Sequence, residues 1–443
     1  MVAFCITCRG RSQHIKITLP RNLADNKKAR FVLLDYGSPD DLLEYVQAVH
    51  IDEILSGRLA VYSFESNRFE MARAKNMAHR LAMREGADVL VNLDADNFTG
   101  KDFDLYVEEL FEKAKCDHEK IFLWARMIQG KMKRGVSGRI AMTANTFLLA
   151  GGYDEYYADW GCDDKDMNAR LSRLGFTPIE IDAKYLDAIH HKDKLRFKEY
   201  PHARPEPGVD SGAFYLCNDN TIVNFGNFGC GLVKKRWPRL LNMGWCEEIE
   251  LLPLPTRIFG IGMQKTATTS LDAALTILGF DSAHWESGKW ATSILREMRT
   301  CGRSLTVEKS YAMCDLPIPI LFRQLDKAYP GSKFILTIRD DADWLRSVRD
   351  HWSYERNRFR HDWDIYPAAN VIHRATYGCK NFNSEIFLAR YRRHNAEVLE
   401  YFKDRPEDLL VMDMSHGAGW EELCHFLRKP VPDVPYPRAY ETV

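Results

Sequence analysis

The chain has no run of about 18 uncharged apolar residues, and its opening, MVAFCITCRGRSQHIK, turns charged before the apolar core of a secretory leader could form. These two absences lead to the expectation of a cytoplasmic protein with no transmembrane segment. An excess of one charge is also missing. The 61 Lys and Arg residues stand against 62 Asp and Glu, so the basic surplus that counter-ion release at nucleic acid would favour is absent and nucleic acid is not an expected partner. A disulfide framework is excluded by the cysteines, which are eleven in number and scattered through apolar stretches, a pattern that suits reduced, buried thiols. Cys5 and Cys8 make a CxxC, but no second pair stands at zinc spacing and both fall on an apolar first strand, so core packing is the better reading.

What is present is enough chain for two cores, since 443 residues exceed what one hydrophobic core usually supports. From the start to about residue 200, apolar runs (VAFCIT, FVLLDY, LAVYSF, VLVNLDAD) alternate with amphipathic stretches (DDLLEYVQAV, FEMARAKNMAHRLAMREG). This alternation predicts an α/β domain with a parallel sheet and crossover helices. Residues 206–255 lack helical periodicity and are rich in Pro, Gly and aromatics, which predicts a linker or extension between a domain at 1–205 and another at 256–443. The second domain opens RIFGIGM, GMQKTATTSL and SLDAALTILGF, the strand, loop and helix order of nucleotide sites.

The loop GIGMQKTATTSL also lacks something. A Walker loop places glycine directly before its lysine, whereas Gln264 precedes Lys265, so the ATPase pattern fails. An anion cradle remains, with Lys265, Thr266, Thr268, Thr269 and Ser270 at a helix N-terminus whose free N–H groups face the turn. Capping of the helix needs one hydroxyl, and this loop has four in five positions. GMQKTATTSL resembles the 5′-phosphosulfate loop of the sulfotransferases, with Ala267 where that family commonly has glycine. FILTIRDDADWLRSV is similar to the family's 3′-phosphate element, and the likeness assigns Arg339 and Ser347 to it. HWESGKW, CDLP and GWEELCHFLRKPVPDVPYPRAYE extend the similarity to the end of the sequence, over about 185 residues. The resemblance implies a P-loop-like α/β fold, 3′-phosphoadenosine 5′-phosphosulfate (PAPS) as donor, and Lys265 neutralising charge on the bridging oxygen. It also implies a base for the acceptor proton, for which His284, Glu286 and Asp315 are the candidates.

In the first domain VLVNLDADNFTG ends a strand with Asp94 and Asp96, two carboxylates at spacing two that point the same way from an extended chain and suit a Mg²⁺ or Mn²⁺ bridging a diphosphate. Alone such a pair reads as a turn. Its companions are GGYDEYYADWGCDDKDMNARLSRLGF and LDAIHHKDK, which resemble the acceptor end of inverting glycosyltransferases of the A-type (GT-A, Rossmann-like) fold, notably the galactosyltransferase-like group. That resemblance places Asp163 and Asp164 at the general base and acceptor positions, with Asp163 favoured for the proton, Asp for the usual Glu, and Lys165 in place of a carboxylate. It makes His190 the third metal ligand, with His191 the nearby alternative. CITCRGR and FVLLDYGSPDDL are like the first two strands of the family 2 fold, which puts Asp35 on the nucleotide. RFEMARAKNMAHRLA matches a helix carrying Arg73 and Asn76 toward the donor, while Met71, Ala74, Met77, Ala78 and Leu81 form its core stripe.

The expectation is a bifunctional transferase. One half moves a sugar from a nucleotide sugar, a UDP-sugar for preference, and the other moves a sulfuryl group from PAPS to a hydroxyl of a glycan or glycolipid. Two rivals stand beside it: one half reduced to a binding module, and a kinase-like phosphotransferase built on the Walker-like loop.

Overall fold

The structure is a computed structural model, and it describes residues 1–125, 136–157, 162–189, 221–237, 246–285, 289–352, 367–379 and 381–438. The chain separates into two compact units, Met1–Leu254 and Pro255–Val443. Both are α/β, as the alternation of strand and helix patterns predicts.

The first unit is built on a nine-stranded sheet. Its strands are β1 (Val2–Cys8), β2 (Arg30–Asp35), β3 (Leu59–Ser63), β4 (Val89–Asp94), β6 (Ile121–Trp124), β7 (Ile140–Thr143), β8 (Thr177–Glu180), β10 (Gly231–Arg236) and β11 (Cys246–Leu251). Strand β5 (Asn97–Phe98) pairs separately with β9 (Asp187–Ala188). The order across the sheet is β11-β10-β3-β2-β1-β4-β7-β6-β8. Strands β1 to β4 are parallel, and every residue of β1 is buried, as the continuous apolar run of a doubly covered strand requires.

Beyond these four strands the sheet is mixed, although β6 and β8 again pair parallel. β7 runs antiparallel to both β4 and β6, and the hairpin of β10 and β11 adds antiparallel to β3. A parallel neighbour needs a crossover, usually a helix. Residues 231–236 and 246–251, from the stretch read as linker or extension, thus belong to this sheet. Their charges alternate across the hairpin, with Lys234 opposite Glu248 and Lys235 opposite Glu247. Such a row blunts the outer edge against further pairing.

In the second unit β13 (Ser282–His284), β14 (Ala312–Cys314), β12 (Ile258–Gly260), β15 (Lys333–Ile338) and β16 (Leu409–Asp413) form a sheet in that order, all parallel. In both sheets the order reverses beside the first strand, next to β1 in one and next to β12 in the other. Open α/β sheets bind ligands outside the carboxyl ends of strands at such a reversal.

Candidate functional site

At the carboxyl end of β1 the two neighbouring strands each deliver an aspartate, with Asp35 opposite Cys8 on β2 and Asp94 opposite Thr7 on β4. Asp35 is buried, accepts from the Ser38 amide at 2.8 Å, and is raised above the usual carboxylate range by burial. Arg9 ties the surrounding loops together, donating to the carbonyls of Tyr36, Gly37, Ser66 and Asn67. The rim of this crevice is therefore held by the protein itself.

Asp94 faces Asp164 across a glycine. A Cβ built on Gly138 would lie 2.7 Å from Asp94 Oδ2 and 3.1 Å from Asp164 Oδ2, so only glycine leaves both oxygens open at that point. Burial raises Asp94 and lifts Asp164 to about 7. Asp163 and Asp164 open the helix Asp163–Arg173, and the Lys75 ammonium bridges them, at 2.6 Å from Asp163 Oδ2 and 2.6 Å from Asp164 Oδ1. Of the two, Asp163 has a side chain 4% exposed and Asp164 one 22% exposed, so Asp164 is the more reachable base. The same motif supplies a structural pair one turn on. Asp166 and Arg170 are wholly buried and bonded at 2.7 Å, and Arg170 also donates to the carbonyls of Ala150 and Gly152.

Asp96 is buried and accepts from Asn97 Nδ2 at 2.8 Å. Among the described residues no three His, Cys, Asp or Glu side chains gather at metal-binding range. His190, with His191, lies outside the described residues. The hard carboxylate oxygens of Asp94 and Asp96 are of the kind that holds a Mg²⁺ or Mn²⁺.

Arg73 and Asn76 are engaged inside the protein. Arg73 donates to the Cys230 carbonyl at 2.8 Å and to Glu70 at 3.3 Å. Asn76, fully buried, bonds the Tyr153 carbonyl and amide and Glu155 Oε1 at 2.7–2.9 Å. Both anchor the loops at 151–155 and 228–231. The residue of this helix that reaches the carboxylates is Lys75, which the sequence reading passed over. Its signal was legible: a lysine one turn before Ala78 and His79, on the buried face of an amphipathic helix, has to be paired.

In the second unit the quoted loop runs from β12 into the helix Thr268–Ile277. A Cβ on Gly262 would sit 2.0 Å from Thr337 Oγ1, so glycine lets the loop lie against β15. Met263 turns inward and packs with Trp344, Val348 and Tyr391. Lys265 and Ala267 both take positive φ, 70° and 67°; at Ala267 this accounts for the glycine common in the resembling family. Thr266 departs from the expected role. It is fully buried, and its hydroxyl bonds the Met263 carbonyl and Thr337 Oγ1, each at 2.7 Å, so it stiffens the loop from behind.

The other loop residues face one cleft of about 1060 Å³, lined by Lys265, Ala267, Thr268, Thr269, Ser270, His284, Asp315, Arg339 and Ser347, among others. Arg339 directly follows β15, and its backbone amide and carbonyl are both held by the Tyr391 hydroxyl, at 2.8 and 2.7 Å. His284 ends β13 with Nε2 3.0 Å from Thr268 Oγ1, 3.4 Å from Thr269 Oγ1 and 3.5 Å from Asp315 Oδ2. Asp315 is raised by burial and opposed by His284 and Lys265, and it holds a positive φ of 71°. Glu286 lies outside the described residues. The loop at 414–419 and Tyr436 to Arg438 complete the wall.

Residues 257–442 match the family model described as a sulfotransferase domain, and residues 120–194 match one described as the N-terminal domain of galactosyltransferase. The chain is 26% identical over 190 residues to human beta-1,4-galactosyltransferase 4, covering 41% of this chain and 50% of that one. It is 23% identical over 210 residues to Ava biosynthesis cluster protein M of Aspergillus versicolor, covering 41% and 79%. Among solved structures it is similar to S. aureus TarS in complex with UDP (TM-score 0.34, 13% identity, 42% of this chain and 59% of that). A second is the mannosyltransferase PcManGT from Pyrobaculum calidifontis in complex with GDP-Man and Mn²⁺ (TM-score 0.34, 17%, 43% and 57%). The chain thus spans half of the human enzyme and under two thirds of these two solved chains. The second unit thus matches the sulfotransferase-domain model over nearly its whole length, and the first carries a segment that matches the galactosyltransferase model.

Proposed function

We propose that the first unit transfers a sugar from a nucleotide sugar, a UDP-sugar for preference, and the second transfers a sulfuryl group from PAPS, both to hydroxyls of a glycan or glycolipid. The observation that carries the reading is the convergence in the second unit. Lys265, three hydroxyls at a helix N-terminus, Arg339 and Ser347 line one cleft large enough for a nucleotide together with an acceptor. In the first unit the equivalent support is the group of Asp94, at the carboxyl end of β4, with Asp163 and Asp164 on the first turn of the helix Asp163–Arg173.

For sulfuryl transfer, the acceptor oxygen attacks sulfur as the bond from sulfur to the bridging oxygen breaks. The electron pair leaves on the 5′-phosphate, where Lys265 and the Thr268 to Ser270 N-terminus meet the new charge. The acceptor proton passes to the His284 and Asp315 pair, whose strained backbone at Asp315 is the kind found at working sites. For glycosyl transfer, Asp164 accepts the acceptor proton while the acceptor oxygen bonds the anomeric carbon and the diphosphate departs. Asp163 holds the acceptor. This exchanges the roles first assigned to the two aspartates, because Asp164 is the more exposed of the two and its pKa is raised by burial to about 7. A Mg²⁺ or Mn²⁺ held by Asp94, Asp96 and His190 would offset the diphosphate charge.

The test is a pair of variants in the full chain, assayed with both donors. Lys265→Ala is expected to abolish sulfuryl transfer and leave glycosyl transfer, and Asp164→Asn the reverse. Asp164→Asn with full glycosyl transfer, or Lys265→Ala with full sulfuryl transfer, would remove the corresponding half of the proposal.

A further inference from the structure

Lys75 is 2% exposed, and its ammonium is bonded at 2.6 Å to each of two carboxylates adjacent in sequence. The Tyr153 ring lies 5.1 Å from the same ammonium. Stability alone is a poor reason for this arrangement, since a buried ion pair usually does no better than a well-packed apolar residue of the same size. The geometry shows what else it does. Lys75 occupies Oδ2 of Asp163 and Oδ1 of Asp164. That leaves Asp164 Oδ2 turned to the space beside Gly138, where Asp94 Oδ2 also looks. The two carboxylates sit on the first turn of one helix and would otherwise repel each other and Asp94 in a buried place.

We propose that Lys75 is a positioning residue for glycosyl transfer: by taking one oxygen from each aspartate it fixes both carboxylates in one rotamer and presents Asp164 Oδ2 to the acceptor hydroxyl. The inference rests on the reading of the first unit as a glycosyltransferase and adds to it the residue that sets the base. Arginine keeps the charge but spreads it over a planar fork that cannot place a single ammonium between two oxygens. Methionine keeps length and removes the charge.

The experiment uses the full chain and steady-state glycosyl transfer, with affinity for UDP and Mn²⁺ measured by calorimetry. Lys75→Arg is expected to lower kcat at least tenfold and Lys75→Met at least about 100-fold, with UDP–Mn²⁺ affinity within threefold of the parent, because Lys75 serves the base and not the donor. Added methylammonium is expected to restore part of the kcat of Lys75→Ala. A merely structural lysine would give neither a loss confined to kcat nor rescue by a small cation. Should the methionine or alanine variant fail to fold, Lys75→Arg decides. Parental kcat in Lys75→Arg, or a loss carried wholly by KM or UDP affinity, would overturn the proposal. Parent protein that transfers no sugar would sink the glycosyltransferase reading itself, which is a distinguishable result.

Discussion

Asp164 and Asp163 are neighbours in sequence and differ in side-chain exposure, 22% against 4%, and on that difference the proposal for their roles rests. The sequence resemblance favoured Asp163 for the proton, and the proposal reverses that order because it depends on which oxygens Lys75 occupies and which carboxylate is the more exposed. Asp164→Asn is expected to lower glycosyl-transfer kcat by about 10²–10⁴, the usual loss on removing a general base; Asp163→Asn should act largely through the acceptor KM. Initial rates across acceptor concentration separate the two, and equal kcat losses would contradict the ranking. Thr266 carries the same lesson in the second unit. Four hydroxyls were legible in the loop, but the inward turn of one follows from its contact with Thr337, about 70 residues away in sequence, which no local pattern reports. Gly262→Ala should drive the loop off β15 and weaken adenosine 3′,5′-bisphosphate binding at least tenfold, readable by calorimetry; unchanged affinity would mean that the loop is not held by that contact.

Among the elements, the helices were the most legible. The amphipathic stretch with Met71, Ala74, Met77, Ala78 and Leu81 forms a helix over Met71–Arg84, and the loop after β12 opens one at Thr268. Partners chosen across long distances were not legible, such as the pairing of β10 with β3 or of Arg170 with the carbonyls at 150 and 152. Arg170→Met breaks one half of a fully buried pair and should cost about 3–5 kcal/mol, measured by denaturant unfolding. A cost below about 1 kcal/mol would show Asp166 to be easily satisfied without it. Two helices also carry buried histidines. His79 bonds the Lys75 carbonyl at 2.7 Å and His394 the Ile261 carbonyl at 2.7 Å, and burial lowers each to about 4. In the unfolded chain each takes up a proton near 6.5. The stability that each neutral ring contributes is therefore whole above that pH and declines as pH falls from about 6.5 toward 4, by roughly 3 kcal/mol per histidine. Unfolding midpoints at pH 7 and pH 4.5 test this, and His79→Gln should flatten the fall for the first unit. A variant as acid-sensitive as the parent would contradict it.

For the whole molecule, two sheets with separate cores imply two donor sites that answer to different ligands. Family-like motifs made the division into two α/β units readable, since each begins with its own apolar strand. The placement of 231–236 and 246–251 in the first sheet was not readable, because the stretch has neither helical nor clear strand periodicity. The sugar and the acceptor depend on the shape of pockets assembled from distant loops, such as 414–419 and 436–438 in the second unit. The most direct test of two donor sites is the melting of the full chain with adenosine 3′,5′-bisphosphate, with UDP and Mn²⁺, and with ATP. A ligand at 100 times its Kd that binds only the native state adds about 2.7 kcal/mol. The account predicts that the bisphosphate and UDP–Mn²⁺ each raise a melting transition, that Lys265→Ala loses only the first effect, and that ATP does nothing. Stabilisation by ATP alone would contradict it.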